Sequence, residues 1–216
     1  MERSISFNLY ALALILTVVV FCIGIYVGYL IDQANQQEIS NEVEGISQKV
    51  AATQLLMLMD SNDSSSCPVL GSQLDSINSD VEKIGYKLTY MEEEKHVFDV
   101  PLKKSYFVLE AQSYLLSKRM KERCGDNSTL LLYFYSNSNC SSCKQQGDDI
   151  LRARDETQGK VPLVRIYSFD GDLGSPVADG LKAQFNVGGY PSIVVNGRLY
   201  SGTMAKDAVV AALSGG

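Results

Sequence analysis

Leu130-Leu131-Leu132-Tyr133-Phe134-Tyr135, then Ser136-Asn137-Ser138-Asn139, then Cys140-Ser141-Ser142-Cys143: this stretch decides the fold. An unbroken apolar and aromatic run is the pattern of a short strand covered on both faces. The polar residues after it read as a turn, and the cysteine pair stands at the entrance to a helical stretch over 144–158. Downstream, 161–169 reads as a second buried strand, interrupted by Pro162 and Arg165, and a short helix follows over 177–185. Gly188-Gly189-Tyr190-Pro191 then leads into a strand over 192–195, an Asn196-Gly197 turn and a strand over 198–201. Asn-Gly between apolar runs is a strong hairpin signal. A helix over 204–213 closes the chain.

Strand, Cys-x-x-Cys, helix, strand, helix, proline, hairpin and helix is an order that resembles the thioredoxin-like superfamily, from about Leu130 to the end. Tyr190-Pro191 followed by Ser192-Ile193-Val194-Val195-Asn196-Gly197-Arg198 is similar to that family's cis-proline loop and hairpin. The resemblance implies an α/β thioredoxin-like fold and thiol–disulfide exchange. Cys140, at a helix N-terminus where N–H groups favour an anion, is the expected nucleophile, and its thiol pKa is expected to be lowered. Cys143, one turn in, is expected to resolve the mixed disulfide. Tyr190 and Pro191 are expected to present backbone to a bound peptide. A lone Cys-x-x-Cys is also half of a zinc site, but the flanking strand, helix and proline loop favour the redox reading. Three departures bear on direction and efficiency: Asn139 replaces the family's usual Trp, Ser141-Ser142 its Gly-Pro, and the strand carries no buried acid.

The composition agrees with a globular protein, with 45% hydrophobic and 20% charged residues. A net charge of -6 with no basic run argues against a nucleic-acid partner. His96 is the sole histidine, so two-histidine chemistry, including most zinc sites, is excluded; neither a cofactor nor a metal is expected.

No charged residue lies between Arg3 and Asp32, and 9–31 is dense in Leu, Ile, Val and aromatics. A helix needs about 20 such residues to cross the hydrocarbon core. The run is longer than a signal-peptide core and ends in Gly28-Tyr29-Leu30-Ile31-Asp32, a poor cleavage sequence, so an uncleaved anchor embedded in lipid is expected over 1–32. Arg3 precedes the span, whereas Asp32, Glu38, Glu42 and Glu44 follow it before Lys49. The positive-inside rule then puts the N-terminus in the cytoplasm and the rest outside. Cysteine usage points the same way: setting aside Cys22 in the apolar run leaves Cys67, Cys124, Cys140 and Cys143.

Between anchor and redox domain, 33–125 reads as a helical, coiled-coil-like segment of about three helices. Apolar residues alternate at spacings of four and three in Ile39-Val43-Ile46-Val50-(Thr53)-Met57, in Leu70-Leu74-Ile77-Val81-Ile84-Leu88-Met91, and in Leu102-Tyr106-Leu109-(Ser113)-Leu116-Met120. Such spacing fits both a coiled coil and ordinary amphipathic helices. Ser61–Ser66 is a polar turn, Pro68 and Pro101 suit helix first turns, and Gly125 suits a left-handed cap. Antiparallel packing would make the start of the second helix and the end of the third neighbours, so a structural Cys67–Cys124 disulfide is expected. The thioredoxin-like domain is expected over 126–216.

The leading functional expectation is a membrane-tethered thiol–disulfide oxidoreductase acting on extracytoplasmic proteins that carry thiols or disulfides. The alternative is a noncatalytic subunit that holds peptides or docks within a membrane complex. An electron relay with a membrane redox partner is a third. His96, in the polar run Glu92-Glu93-Glu94-Lys95-His96, is expected to be a solvated loop residue. Asn62, Asn127 and Asn139 begin glycosylation sequons.

Overall fold

The computed structural model describes residues 7–59 and 64–215. Asn62, much of the polar turn before Ser64, and Arg3, on which orientation rests, lie outside the described residues. By internal contacts the chain forms two units, Met1–Glu42 and Val43–Gly216. The first is helical throughout its described part, and its side chains from Leu9 to Ile31 are almost all exposed. Helix α1 runs Phe7–Met59, with a mean hydropathy of 2.7 in its most apolar window and none of that window buried. It is the one helix among the described residues long and apolar enough to cross a membrane. The apolar run and the first four-three seam, read separately in the sequence, thus lie on a single helix.

The second unit contains the end of α1, then α2 (Cys67–Glu93), α3 (Val100–Cys124), β1 (Thr129–Tyr135), α4 (Cys143–Thr157), β2 (Val164–Asp170), α5 (Pro176–Phe185), β3 (Ser192–Val195), β4 (Arg198–Ser201) and α6 (Lys206–Ser214). The local chemistry sets these bounds. Pro68 and Pro101 occupy first turns, where a missing N–H costs nothing. The Asp99 carboxylate caps α3 by accepting from the Leu102 N–H at 2.9 Å, and Gly125 ends the helix at φ 65°. At the hairpin, Asn196 and Gly197 both take positive φ, 47° and 89°, which a tight primed turn requires.

The sheet order is β2-β1-β3-β4, with β1 parallel to β2 and antiparallel to β3. This is a thioredoxin-like sheet with helices on both faces. On one face Leu131, Tyr133, Val164, Ile193 and Val195 pack with Ile150 and Ala153 of α4 and Val209 and Leu213 of α6. On the other, Phe134 stacks on Phe169 at 5.7 Å and Phe107 of α3 closes on Phe169 at 5.6 Å. Strand β2 begins at Val164, three residues later than the apolar pattern suggests, because Pro162 supplies no ladder N–H.

All residues of the three seams are buried. α1 and α2 run antiparallel, with Lys49 on Asp80 at 3.0 Å and Thr53 near Gln73 at 3.4 Å. α2 and α3 do the same, with Ser113 donating to Asn78 at 2.8 Å and Lys103 paired with Glu92 at 2.6 Å. Helix α3 differs from the other two in burying a second row, Lys103, Phe107, Glu110, Tyr114 and Ser117, against the sheet. It is therefore a layer of the α/β fold as well as a partner of α2.

A disulfide joins Cys67 at the start of α2 to Cys124 at the end of α3, with Cα atoms 5.7 Å apart at a sequence separation of 57. On the chain-entropy model a loop of that length stabilises the folded state by about 4 kcal/mol. The double variant Cys67→Ala, Cys124→Ala should lose roughly that amount in denaturant unfolding of the detergent-solubilised chain. A change in the unfolding midpoint too small to resolve would contradict it.

Candidate redox site

The site is built at the C-terminal end of β1. Ser136, buried just past the strand, accepts from the backbone N–H groups of Ser138 at 3.2 Å and Asn139 at 2.9 Å through its Oγ, which fixes the turn that delivers Cys140. Such short side-chain-to-backbone bonds are what make serine a turn residue. Cys140 and Cys143 form a disulfide with Cα atoms 5.4 Å apart. Helix α4 starts at Cys143, so Cys140 sits on the turn leading into the helix rather than within it. Cys143 is buried, whereas Cys140 is half-buried. The Tyr133 hydroxyl donates to the Cys143 carbonyl at 2.6 Å, anchoring the inner cysteine to the strand below.

The proline loop arrives at the same end of the sheet. In the β1–β3 register Phe134 lies opposite Ser192, so Pro191 enters β3 beside the end of β1. The Tyr190–Pro191 peptide bond is cis. The Pro191 carbonyl accepts from the Gly202 N–H at 2.9 Å, and the next residue, Thr203, donates to the Ser142 hydroxyl between the cysteines at 3.3 Å. Cysteine turn and proline loop are thereby tied through the segment after β4. Tyr190 packs toward Gly171 and Lys182; a Cβ on Gly171 would clash with its hydroxyl and the adjoining ring carbons, and the Lys182 ammonium lies 5.6 Å from the ring centre. The Tyr190 hydroxyl helps raise the Lys182 pKa.

Helix α2 borders the site from the other side. Its Glu93 pairs with Lys144 at 2.7 Å, directly after Cys143, and this holds the lysine pKa up. Farther along, Glu82 pairs with Arg154 of α4 at 2.6 Å. Between α2, α3, α4 and the edge strand β2 lies a cavity of about 590 Å³ whose wall includes Cys140 and Cys143.

Several residues of this neighbourhood carry little signal in the sequence. The chief one is Glu110. It is 3% exposed, it accepts a hydrogen bond from the Tyr106 hydroxyl, and its Oε2 has no partner. Burial raises its pKa to about 8, against opposing pulls from Tyr106 and the Ser168 backbone. A buried acid of α3 thus stands on the wall of the cavity. Its one legible trace is a lone acid in the otherwise apolar run Tyr106-Phe107-Val108-Leu109-Glu110-Ala111. Gly85 has a related reason: a Cβ there would meet the Tyr106 hydroxyl oxygen at 2.6 Å. His96 is exposed at φ 54°, Asn127 and Asn139 are exposed, and among the described residues no cluster of metal-binding side chains occurs.

No family model matches this sequence, and no curated protein is similar enough to count as a relative. Among solved structures the chain is similar to the first thioredoxin domain of mouse protein disulfide-isomerase A4. The identity is 25%, over 44% of this chain and 68% of that one, with a TM-score of 0.32. Strand order, element order and the position of the cysteine pair make the fold thioredoxin-like.

The Glu110 carboxyl makes stability depend on pH. Its folded pKa lies above the ordinary carboxylate value, so the folded state holds more protons between roughly pH 5 and 8 and stability falls as pH rises through that window. Asp80 is held low by Lys49, and Asp126 is held low because its bonds from Ser128 and Arg165 outweigh burial; both act only in more acid solution. Melting curves should show the wild type losing stability from pH 5 to 8 and Glu110→Gln losing markedly less. Parallel profiles for the two proteins would contradict an unusually basic Glu110.

Proposed function

We propose that this chain is a thiol–disulfide oxidoreductase tethered by α1, exchanging disulfides with extracytoplasmic proteins through Cys140 and Cys143. The observation that carries the reading is the cysteine disulfide at the mouth of α4, with the inner sulfur buried, the outer one accessible, and the proline loop alongside. In the reductive direction the Cys140 thiolate attacks a substrate disulfide, forming one S–S bond and releasing one substrate sulfur as thiolate. The Cys143 thiolate then attacks Cys140 Sγ, closing the protein disulfide and releasing the second substrate thiolate. Run backwards, the same steps oxidise a substrate dithiol.

Geometry supports the division of labour. Cys140, next to the first unsatisfied N–H groups of α4, is placed for a stabilised thiolate and for contact with a large partner. Cys143 is buried, as suits the resolving cysteine. Tyr190 and Pro191 would offer backbone to an extended peptide, as β-addition to a sheet end requires. The domain division proposed is an anchor over 1–32, a helical segment over 33–125 and the redox domain over 126–216, with α3 shared between the last two as a sheet layer. The cysteine usage favours the extracytoplasmic side for everything after the anchor.

Insulin reduction and refolding of scrambled ribonuclease by the full-length protein test the proposal. Wild type should turn over in at least one assay, and Cys140→Ser should abolish both. Cys143→Ser should accumulate a mixed disulfide through Cys140 that dithiothreitol releases. No turnover by wild type with the dithiol verified intact would overturn the enzyme reading in favour of a peptide-holding subunit.

A further inference from the structure

β2 is the outer strand of the sheet, and its register with β1 fixes which of its backbone groups are already used. The Thr129 N–H donates to the Leu163 carbonyl at 2.8 Å, and the Gly171 N–H donates to the Tyr135 carbonyl at 2.8 Å. In a parallel ladder the N–H and C=O of one residue point to the same side, and the side alternates along the strand. Odd-numbered positions from 163 to 171 therefore bond β1, while Val164, Ile166 and Ser168 turn their backbone groups outward. The Ser168 backbone meets the Glu110 carboxyl. Among the described residues, no backbone or side-chain group bonds Val164 or Ile166 on that side.

Residues 163–168 form one wall of the cavity of about 590 Å³, which also reaches Cys140 and Cys143. Backbone N–H and C=O are obligatory hydrogen-bonding groups, and an open row of them at a sheet edge is a template for another strand. The cations on the remaining wall are Lys103, Lys144, Arg154 and Arg165. Each is paired with a carboxylate of α2: Glu92 at 2.6 Å, Glu93 at 2.7 Å, Glu82 at 2.6 Å and Asp75 at 2.7 Å. An acidic side chain therefore finds its counter-charges taken, whereas Tyr86, Leu88 and Leu151 suit apolar ones. Gly147 helps keep the space clear. It stands within α4, where glycine is unfavourable, and a Cβ there would meet only the Tyr133 ring, at 3.7 Å.

We propose that this groove takes an extended, apolar segment of a client polypeptide as an added strand on β2, paired with the outward backbone of Val164 and Ile166. The occupant is a polypeptide because a backbone presents donor and acceptor at the two-residue repeat of a strand edge. It is a client's because the groove is continuous with the cysteine pair. The client's identity rests on the oxidoreductase reading, but binding is measured on the oxidised protein without turnover, so either can fail while the other stands.

The experiment titrates the full oxidised chain in lipid nanodiscs, against empty nanodiscs, with an uncharged hexapeptide of alternating valine and threonine that carries a terminal fluorophore. Two isomers N-methylated at alternate amides, one for each edge of the peptide strand, are titrated beside it. The parent peptide should bind saturably. One isomer should bind at least tenfold more weakly than the parent and the other within threefold of it, because only one edge faces β2. Ile166→Pro removes an outward N–H and no ladder bond, a change that an edge strand accommodates, and should weaken the parent peptide at least tenfold. Gly147→Leu fills the groove at a position where leucine favours the helix, and should weaken it as much without loss of thermal stability. Absence of saturable binding beyond empty discs, equal binding by the two isomers, or undiminished binding to Gly147→Leu would each overturn the proposal.

Discussion

Helix α3 is buried on two sides, and the rest of the second unit is arranged around that constraint. One row of its side chains meets α2 and the other meets the sheet, so α3 ties the helical segment to the α/β layers. Phe107 reaches the Phe169–Phe134 stack, while Ser117 shares a hydrogen bond with Tyr167 at 2.7 Å. Tyr167 in turn donates to Asn78 of α2 at 2.9 Å, which also accepts from Ser113. A network of this kind is stabilising only when its buried members find partners, and here it fixes the registers of α2, α3 and β2 together.

The same arrangement protects an edge. β2 is the outer strand of the sheet, with unpaired backbone on one side. Exposed edges invite strand addition by other chains, and covering them with a helix is one remedy. The α2–α3 pair does so. Arg165 reinforces the cover: a basic residue within a buried strand, it pairs with Asp75 of α2 at 2.7 Å and Asp126 at 2.6 Å and bonds to Ser128. Burial lowers the Arg165 pKa, but the two carboxylates prevail and it stays firmly charged. The interruption that Arg165 makes in the apolar pattern of 161–169 is therefore an attachment point.

The cavity follows from this cover being incomplete. α2 meets α4 through the Glu82–Arg154 and Glu93–Lys144 pairs, which are surface ion pairs of modest strength, not a packed apolar seam. Space remains beneath them. Glu110, several tyrosines and both cysteines of the pair line it. The redox site thus has two different neighbours, the proline loop on one side and a cavity walled by helices outside the sheet on the other.

Much of this is determined by the sequence alone, because the determinants are local. The apolar run Leu130–Tyr135, the Asn196-Gly197 turn and the prolines at 68 and 101 each act through their own backbone. The cysteine spacing and the length of the 9–31 apolar run need no tertiary context either. The α3 seam facing α2 was legible for the same reason. Its second seam, 103-107-110-114-117, has identical four-three spacing but was hidden, because Lys103, Glu110 and Ser117 are polar and hydropathy patterning counts them as solvent-facing. Only the tertiary structure decides that they face inward, since the partners that make their burial tolerable come from elsewhere in the chain: Glu92 for Lys103 and Tyr167 for Ser117. For the Glu110 carboxyl the fold supplies the Tyr106 hydroxyl and the Ser168 backbone, which together do not offset its burial.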